Sequence, residues 1–194
     1  MIIAISGLHG TGKTTVSKKI AKKFNLTWYS TGKLFRELAK EKGLTLDEMS
    51  KLAEKNRDID EELDQRIRDY AMKGNCVLDN QLSPYLLGDI IDYCILLKCS
   101  RDVRIERIAE RDETTIDYAI NETLVREESE HQRFIEYYGI DLLDAPRILG
   151  TFDLIIDTTY LDDQSVTNVI ETALKEFKKN NPKKNSDQKH NEWQ

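Results

Sequence analysis

The sequence is poor in cysteine and has no long apolar run. Its three cysteines are an odd number without a C-x-x-C pair, which argues against a disulfide framework and a zinc site. No apolar stretch approaches the ~20 residues that cross a bilayer. The first residues, Met1–Ile5, lack the basic flank of a signal peptide. We therefore expect a reduced, soluble, cytoplasmic protein that does not interact with membranes.

The sequence also lacks a surplus of basic residues. It has 29 Lys and Arg against 35 Asp and Glu, which gives a formal net charge of −6. Affinity for a polyphosphate backbone needs a basic face, so we expect no nucleic-acid partner, although a local basic pocket is compatible with this balance. With 33% charged and 39% hydrophobic residues among 194, the composition favours one globular domain with a strongly solvated surface.

Short apolar strands alternate with amphipathic helices along the chain, which predicts an α/β fold with a parallel sheet covered on both faces. The predicted strands are Ile2–Ile5, Thr27–Tyr29, Cys76–Leu78, Tyr93–Leu97 and Phe152–Ile156. The predicted helices are Lys13–Phe24, Gly32–Glu41, Leu46–Lys55, Asp58–Lys73, a short one from Pro84, one from a Ser100 cap to Arg111, Thr115–Tyr138 and Asp162–Lys179.

Two stretches are longer than a crossover between parallel strands requires. We expect residues 32–73 and 111–150 to protrude from the carboxyl edge of the sheet, where long insertions commonly form lids or binding arms. The single domain would then span residues 1–179. Residues 180–194 are polar and contain almost nothing apolar, which predicts a disordered tail.

The strongest motif is a phosphate-binding loop between the first strand and the first helix. The segment fits G-x-x-x-x-G-K-[ST] at every fixed position. Glycines let backbone N–H groups turn toward phosphate oxygens, Lys13 can reach the β- and γ-phosphates, and the Thr14 hydroxyl can hold Mg²⁺. His9 lies at a variable position of the loop, so we assign it no acid–base role. The predicted ATP-binding residues of this segment are Gly7, Leu8, His9, Gly10, Thr11, Gly12, Lys13, Thr14 and Thr15.

The class of nucleotide-binding protein follows from what accompanies the loop. No Asn-Lys-x-Asp guanine-reading segment follows a late strand, and the chain is short for a motor or transporter ATPase. A small kinase remains, and phosphoryl transfer depends on cationic clamps. The arginines support it: Arg36 follows the second strand near Ser30 and Gly32, where an acceptor phosphate would lie. Four further arginines share helical faces in pairs four or seven residues apart, namely Arg107 with Arg111 and Arg126 with Arg133.

Over about residues 1–174 the chain resembles the archaeal-type cytidylate kinases, within the adenylate-kinase-like nucleoside monophosphate kinases. The most specific segments of this likeness are Ser30-Thr31-Gly32-Lys33-Leu34-Phe35-Arg36 and Tyr138-Gly139-Ile140-Asp141. The resemblance implies a P-loop three-layer sandwich with a five-stranded parallel sheet, a helical monophosphate-binding arm and an arginine-bearing lid. It implies ATP and Mg²⁺ as cofactors.

The resemblance also implies a role for individual residues. Ser30, Gly32 and Arg36 would lie near the acceptor monophosphate, and Arg107 would lie on the donor adenine. Three arginines would clamp the transferring group, namely Arg111, Arg126 and Arg133. Asp79 would be a Walker-B-like carboxylate for Mg²⁺, with a turn or helix-capping aspartate as the alternative. No general base is needed, because the acceptor oxygen is already anionic.

One segment departs from the family pattern. After the third strand the family usually has a Gly-Arg pair that helps to hold the acceptor, whereas this chain has Asn80 and Gln81. A lost arginine–phosphate contact would cost about 1.5–3 kcal/mol, unless another cation compensates or the acceptor differs. Gln81 can hydrogen-bond a base edge or a sugar. Asn80, Gln81, Asp60 and Asp64 are all candidates to read cytosine, and spacing does not choose among them.

The sequence as a whole predicts a kinase that converts CMP and dCMP with ATP to the diphosphate and ADP, acting as a monomer. Another acceptor, such as AMP, UMP or a small hydroxyl metabolite, is the nearest alternative. A nucleotide-binding ATPase or adaptor that acts through a partner is an alternative from a different class.

Overall fold

The structure of the protein is a computed structural model that describes residues 1–181. The strands are β1 (Ile2–Ser6), β2 (Thr27–Ser30), β3 (Cys76–Asp79), β4 (Tyr93–Lys98) and β5 (Leu154–Asp157). The helices are α1 (Lys13–Phe24), α2 (Thr31–Glu41), α3 (Leu46–Lys55), α4 (Arg57–Met72), α5 (Ser83–Leu86), α6 (Arg101–Asp112), α7 (Ile116–Tyr138), α8 (Ala145–Thr151) and α9 (Asp163–Asn180), with a 3₁₀ turn at Gly88–Ile90.

The strands form one parallel sheet in the order β2-β3-β1-β4-β5. The register places Ser30 opposite Asp79 and Ile5 opposite Asp79, so the ends of β2, β3 and β1 lie side by side. In such a sheet ligands bind beyond the carboxyl ends of the strands. The phosphate-binding loop, Ser30 and Asp79 therefore share one edge.

The side chains of β1 point alternately to the two faces of the sheet, and each face has its own part of the hydrophobic core. Ile3 and Ile5 pack with residues of α1 and α9, whereas Ala4 packs on the other face with residues of α2, α3 and α4. Smaller clusters join α6 to α7 and the end of α7 to the segment after β3. The fold is therefore a three-layer sandwich, and the α/β prediction with a five-stranded parallel sheet is confirmed.

Local signals predicted several helix ends correctly. Thr45 and Glu48 form a reciprocal capping box at the start of α3. Gly139 ends α7 with a φ of 62°, the left-handed conformation that glycine adopts readily. Ser100 is the N-cap residue of α6, but its side chain makes no capping hydrogen bond.

The region before the last strand differs from the prediction. Helix α8 lies at Ala145–Thr151, and β5 begins at Leu154 rather than at Phe152. The Phe152 ring is buried edge-on against Tyr85, with ring centroids 5.7 Å apart, so its apolar character reflects packing on α5 and not strand pairing.

The described residues end just after α9, within the predicted tail. Asn180, predicted to begin the tail, is the last residue of α9. The rest of the predicted disordered tail, residues 182–194, lies outside the described residues. Among residues 1–181, no helix is long and apolar enough to cross a membrane.

Candidate active site

The phosphate-binding loop connects β1 to α1 and packs tightly against two neighbouring elements. A Cβ on Gly7, whose φ is 142°, would lie 2.2 Å from the carbonyl oxygen of Leu97 at the end of β4. A Cβ on Gly10, whose φ is 78°, would lie 2.5 Å from the carbonyl oxygen of Arg104 in α6. Only glycine fits at these two positions. The loop thus leads into the N-terminus of α1, whose free N–H groups favour an anion.

Lys13 is the first residue of α1, and its ammonium points back at the loop. Its Nζ donates a hydrogen bond of 2.7 Å to the carbonyl oxygen of Leu8. Desolvation lowers the pKa of Lys13 to about 8, although the negative charges of Asp79, Glu130 and Glu127 oppose this shift. The loop therefore has a partly buried cation within the electrostatic range of three carboxylates.

Thr14 and Asp79 bring two hard oxygen donors together. The Thr14 hydroxyl donates to Oδ2 of Asp79 at 2.7 Å, although the two residues are 65 positions apart. Asp79 is 3% exposed at the end of β3. Hydroxyl and carboxylate oxygens next to a phosphate-binding loop are the donor set that Mg²⁺ prefers, so the residues present fit this ion.

Ser30, Gly32 and Arg36 surround a small gap at the start of α2. A Cβ on Gly32 would lie 3.5 Å from Nη1 of Arg36 and 3.8 Å from Oγ of Ser30. The absence of a side chain at Gly32 thus leaves room between a hydroxyl and a guanidinium. Ser30 is buried, while Arg36 is exposed to solvent. The structure brings these three residues of the predicted acceptor site together.

Asp112, at the end of α6, pairs with one of the predicted arginines and lies within the electrostatic range of two others. Arg111 donates to Asp112 through Nε at 2.7 Å. The hydrogen bond from Arg111 lowers the pKa of Asp112 against desolvation, and the positive charges of Arg126 and Arg36 lower it further. Asp112 therefore neutralises one predicted lid arginine, Arg111.

Helix α7 contacts the α2–α4 region through residues predicted for two different roles. Nε of Arg133 lies 3.1 Å from Oδ2 of Asp60, and both side chains are nearly buried. The Tyr138 hydroxyl donates to Asp64 at 2.5 Å. Burial raises the pKa of Asp64 to about 6 and also raises that of Asp60, despite its ion pair with Arg133. The structure thus pairs a predicted lid arginine with a predicted acceptor-binding aspartate.

Glu130 of α7 joins three segments in what we term the Glu130 cluster, formed by His9, Gln81, Arg126 and Glu130. Its Oε2 lies 2.8 Å from Nε2 of His9 and 2.9 Å from Nε2 of Gln81, and its Oε1 accepts from Nε of Arg126 at 2.9 Å. Burial alone would raise the pKa of Glu130. The hydrogen bonds and charges of His9 and Arg126 outweigh it and hold this pKa well below the usual carboxyl range.

A buried ion pair lies beneath this cluster. Arg104 of α6 contacts Glu127 of α7 with both guanidinium nitrogens, at 2.5 and 3.2 Å. Nη1 of Arg104 also donates to the backbone carbonyl of His9 at 2.8 Å. The same guanidinium therefore links the lid helix to the phosphate-binding loop.

Arg107 takes a different direction from the other arginines. Its guanidinium donates to the carbonyl oxygen of Thr158 at 2.9 Å and to that of Leu161 at 3.4 Å, and the Thr158 hydroxyl donates to the carbonyl of Thr11. Arg107 thus lies between the phosphate-binding loop and the segment after β5. Its predicted place at the donor adenine stays a prediction.

Sequence reasoning missed four of the residues that organise this site: Arg104, Asp112, Glu127 and Glu130. A local signal existed for Glu130, because it is four residues from Arg126 on the same helix face. For Arg104 and Glu127, which belong to different helices, the sequence contained no pairing signal.

The chain is similar to several known proteins. A family profile described as an AAA domain matches residues 6–125. The cytidylate kinase of Staphylothermus marinus is 41% identical over 92% of this chain and 99% of its own length. The cytidylate kinase of Methanocaldococcus jannaschii is 43% identical over 92% of this chain and 100% of its own length.

The chain belongs to the cytidylate kinase family. The family resemblance predicted from the sequence is therefore confirmed. Proteins outside this family share the fold of the chain. The shikimate kinase of Bacteroides thetaiotaomicron is 16% identical to it and superimposes with a TM-score of 0.61 over 90% of this chain and 98% of the other.

Proposed function

We propose that this member of the cytidylate kinase family transfers the γ-phosphoryl group of ATP to CMP and dCMP, yielding the diphosphate and ADP. The observation that carries the proposal is the meeting of two half-sites at one sheet edge. The phosphate-binding loop with Lys13 lies on one side, and the Ser30–Arg36 gap lies on the other. The register of β2, β3 and β1 brings them together. The names of the relatives supply the acceptor class.

On the donor side, Lys13 holds the β- and γ-phosphates in place of the Leu8 carbonyl it now contacts. Thr14 and Asp79 would hold Mg²⁺, which neutralises charge on the phosphate oxygens as the phosphoryl group moves. Arg107 is proposed to lie against the donor adenine. These residues orient the triphosphate rather than react with it.

On the acceptor side, Arg36, Ser30 and the backbone at Gly32 hold the monophosphate. Its attacking oxygen is already anionic, so no residue has to remove a proton from it. Asp60, Asp64, Asn80 and Gln81 are the proposed contacts to its base or sugar. Arg111, Arg126 and Arg133 would stabilise the charge on the equatorial oxygens of the transferring group, since their planar donors suit such oxygens.

These arginines are now neutralised by carboxylates of the protein, with Asp112, Glu130 and Asp60 as the partners. We propose that the phosphates replace these carboxylates when the acceptor arm, residues 32–73, and the lid, residues 111–150, close over both nucleotides. Closure would exclude water and so limit wasteful hydrolysis of ATP. We further propose that the enzyme acts as a monomer in the cytoplasm.

A substrate panel tests this function. The protein is incubated with ATP, Mg²⁺ and one of CMP, dCMP, UMP or AMP, and the products are separated by chromatography. We expect CDP and dCDP to form much faster than UDP. With AMP, for which both products are ADP, we expect only slow formation of ADP. Preferred turnover of UMP or AMP would contradict the acceptor, and ATP hydrolysis that no acceptor changes would favour an ATPase or adaptor.

A lysine variant tests the mechanism. We expect Lys13→Ala to lower kcat by at least about 100-fold, the scale of losing one charge-stabilising group, with little change in unfolding free energy. Lys22→Ala, an exposed lysine on the same helix, is the matched control and should retain full activity. Normal turnover by the Lys13 variant would remove the proposed mechanism.

A further inference from the structure

Gln81 stands where the family resemblance expects an arginine, and the structure fixes it at two points. Its backbone carbonyl accepts a hydrogen bond of 3.0 Å from the Ser6 hydroxyl at the end of β1. Its side-chain Nε2 lies 2.9 Å from Oε2 of Glu130. Gln81 is thus held at the sheet edge, two residues after Asp79.

The charge of Glu130 determines which way the Gln81 amide faces. The carboxylate is surrounded by donors from His9, Gln81 and Arg126, and its low pKa keeps it ionised. An ionised carboxylate only accepts hydrogen bonds, so the amide nitrogen of Gln81, and not its oxygen, must face it. A flipped amide would place two oxygens in contact.

The oxygen of the Gln81 amide is therefore directed away from Glu130. Among residues 1–181, no side chain or backbone group donates a hydrogen bond to this Oε1. It presents an acceptor, whereas an arginine at this position would present donors. A phosphate offers only acceptor oxygens at neutral pH, so Gln81 does not suit the role of the arginine it replaces.

The contacts of Glu130 locate Gln81 relative to the two halves of the site. Glu130 is one helical turn from Arg133, which contacts Asp60 of α4. On the other side, Glu130 contacts His9 of the phosphate-binding loop. Gln81 thus lies between the donor loop and the residues proposed to contact the base or sugar of the monophosphate.

We propose that Gln81 is a specificity-determining residue that accepts a hydrogen bond from an N–H or O–H donor of the monophosphate, and that Glu130 is the residue that positions it. The inference rests on the proposed function and deepens it. Of the groups of CMP with this chemistry, we assign Gln81 to one of the two that differ among the test substrates, the exocyclic amine of cytosine or the 2′-hydroxyl of ribose; the 3′-hydroxyl is common to all three. UMP lacks the first, and dCMP lacks the second.

Steady-state kinetics of Gln81→Met with CMP, dCMP and UMP test the proposal, because methionine keeps the length of the side chain and removes the acceptor. We expect kcat/KM for CMP to fall about 3- to 10-fold, the worth of a neutral hydrogen bond. If Gln81 accepts from the cytosine amine, kcat/KM for dCMP should fall by the same factor and kcat/KM for UMP should not change. If it accepts from the 2′-hydroxyl, kcat/KM for UMP should fall by that factor and kcat/KM for dCMP should not change.

Glu130→Gln tests the positioning role. It removes the charge that orients the amide, so we expect the same substrate-selective loss as in Gln81→Met, added to any loss common to all substrates. In the double variant with Gln81→Met and Glu130→Gln, the ratios of kcat/KM among the three substrates should be the same as in Gln81→Met alone. Glu128→Gln is the control on the same helix. Glu128 is exposed and accepts a hydrogen bond from Gln132 at 2.7 Å, so its replacement should leave kcat/KM for all three substrates unchanged.

Two outcomes would overturn the inference. A loss in Gln81→Met that is equal for CMP, dCMP and UMP, or no loss at all, would show that Gln81 reads neither group, while turnover of CMP by the unaltered protein would leave the proposed function intact. An unaltered protein that phosphorylates none of the three would overturn the proposed function itself, and this inference with it.

Discussion

Replacement of Glu127 by glutamine should destabilise the fold far more than loss of an ordinary ion pair. The side chains of Arg104 and Glu127 are 6% and 14% exposed, and both guanidinium nitrogens contact the carboxylate. The substitution leaves the Arg104 charge buried without its counter-charge. Removing one partner of a buried pair typically costs about 3–5 kcal/mol, because the remaining charge has lost its water as well.

The same chain offers an exposed pair as the control. Arg66 and Glu62, four residues apart on α4, have a 2.6 Å contact, but their side chains are 35% and 41% exposed. Water screens such a pair, so Glu62→Gln should cost less than about 0.5 kcal/mol. The shortest contact is nearly the same in the two pairs, at 2.5 and 2.6 Å, whereas their burial differs strongly.

Urea denaturation at pH 7 measures the free energy of unfolding for both variants. We expect Arg104→Met combined with Glu127→Leu to recover much of the loss, because no charge then remains buried. A cost below about 1 kcal/mol for Glu127→Gln, or a double variant less stable than the single, would refute the reasoning. The Arg104 bond to the His9 carbonyl also leads us to expect weaker ATP binding in the single variant.

Two further predictions concern the acceptor side. Arg36→Ala should raise KM for CMP about 10-fold or more and change KM for ATP little, because Arg36 lies at the Gly32 gap and not at the phosphate-binding loop; an unchanged KM for CMP would place the acceptor elsewhere. Asp64→Asn should change how stability depends on pH. Burial raises the pKa of Asp64 from 3.8 to about 6, so the folded state binds its proton more tightly and the wild type loses stability as the pH rises through that window. Between pH 4 and pH 7.5, the free energy of unfolding of the wild type should fall by about 1 kcal/mol relative to that of Asp64→Asn. This figure is the free energy of a two-unit pKa shift, reduced because Asp64 is partly exposed. Urea titrations at the two pH values measure it, with exposed Asp69→Asn as the control, and a difference that does not vary with pH would contradict it.

Much of the fold could be predicted because its signals are local. An apolar strand, a glycine-rich turn and Lys13 within a few residues identify the phosphate-binding loop. The capping box at Thr45 and the glycine at position 139 set helix ends within one turn of chain. The family resemblance suggested Thr14 and Asp79 for one Mg²⁺ site, with a turn or capping aspartate as the alternative; their hydrogen bond forms because parallel strands bring their carboxyl ends to one edge.

The contacts of α7 could not be predicted in the same way. Its helical pattern shows that Arg126 and Arg133 share a face, but not which carboxylates that face meets. Asp60 comes from α4, 73 residues earlier, and His9 comes from the first loop, 121 residues before Glu130. The periodicity of one helix contains no information about a partner at such a separation.

The sequence by itself determined the phosphate-binding loop, the alternation of strands and helices and the family to which the chain belongs, because each depends on residues that are neighbours along the chain. Only the tertiary structure decided that Gln81 turns its amide nitrogen to Glu130, that Arg104 loses its water beside Glu127, and that Arg133 faces Asp60. Those outcomes depend on burial and on distances between remote segments, and both arise only when the sheet and α7 come together.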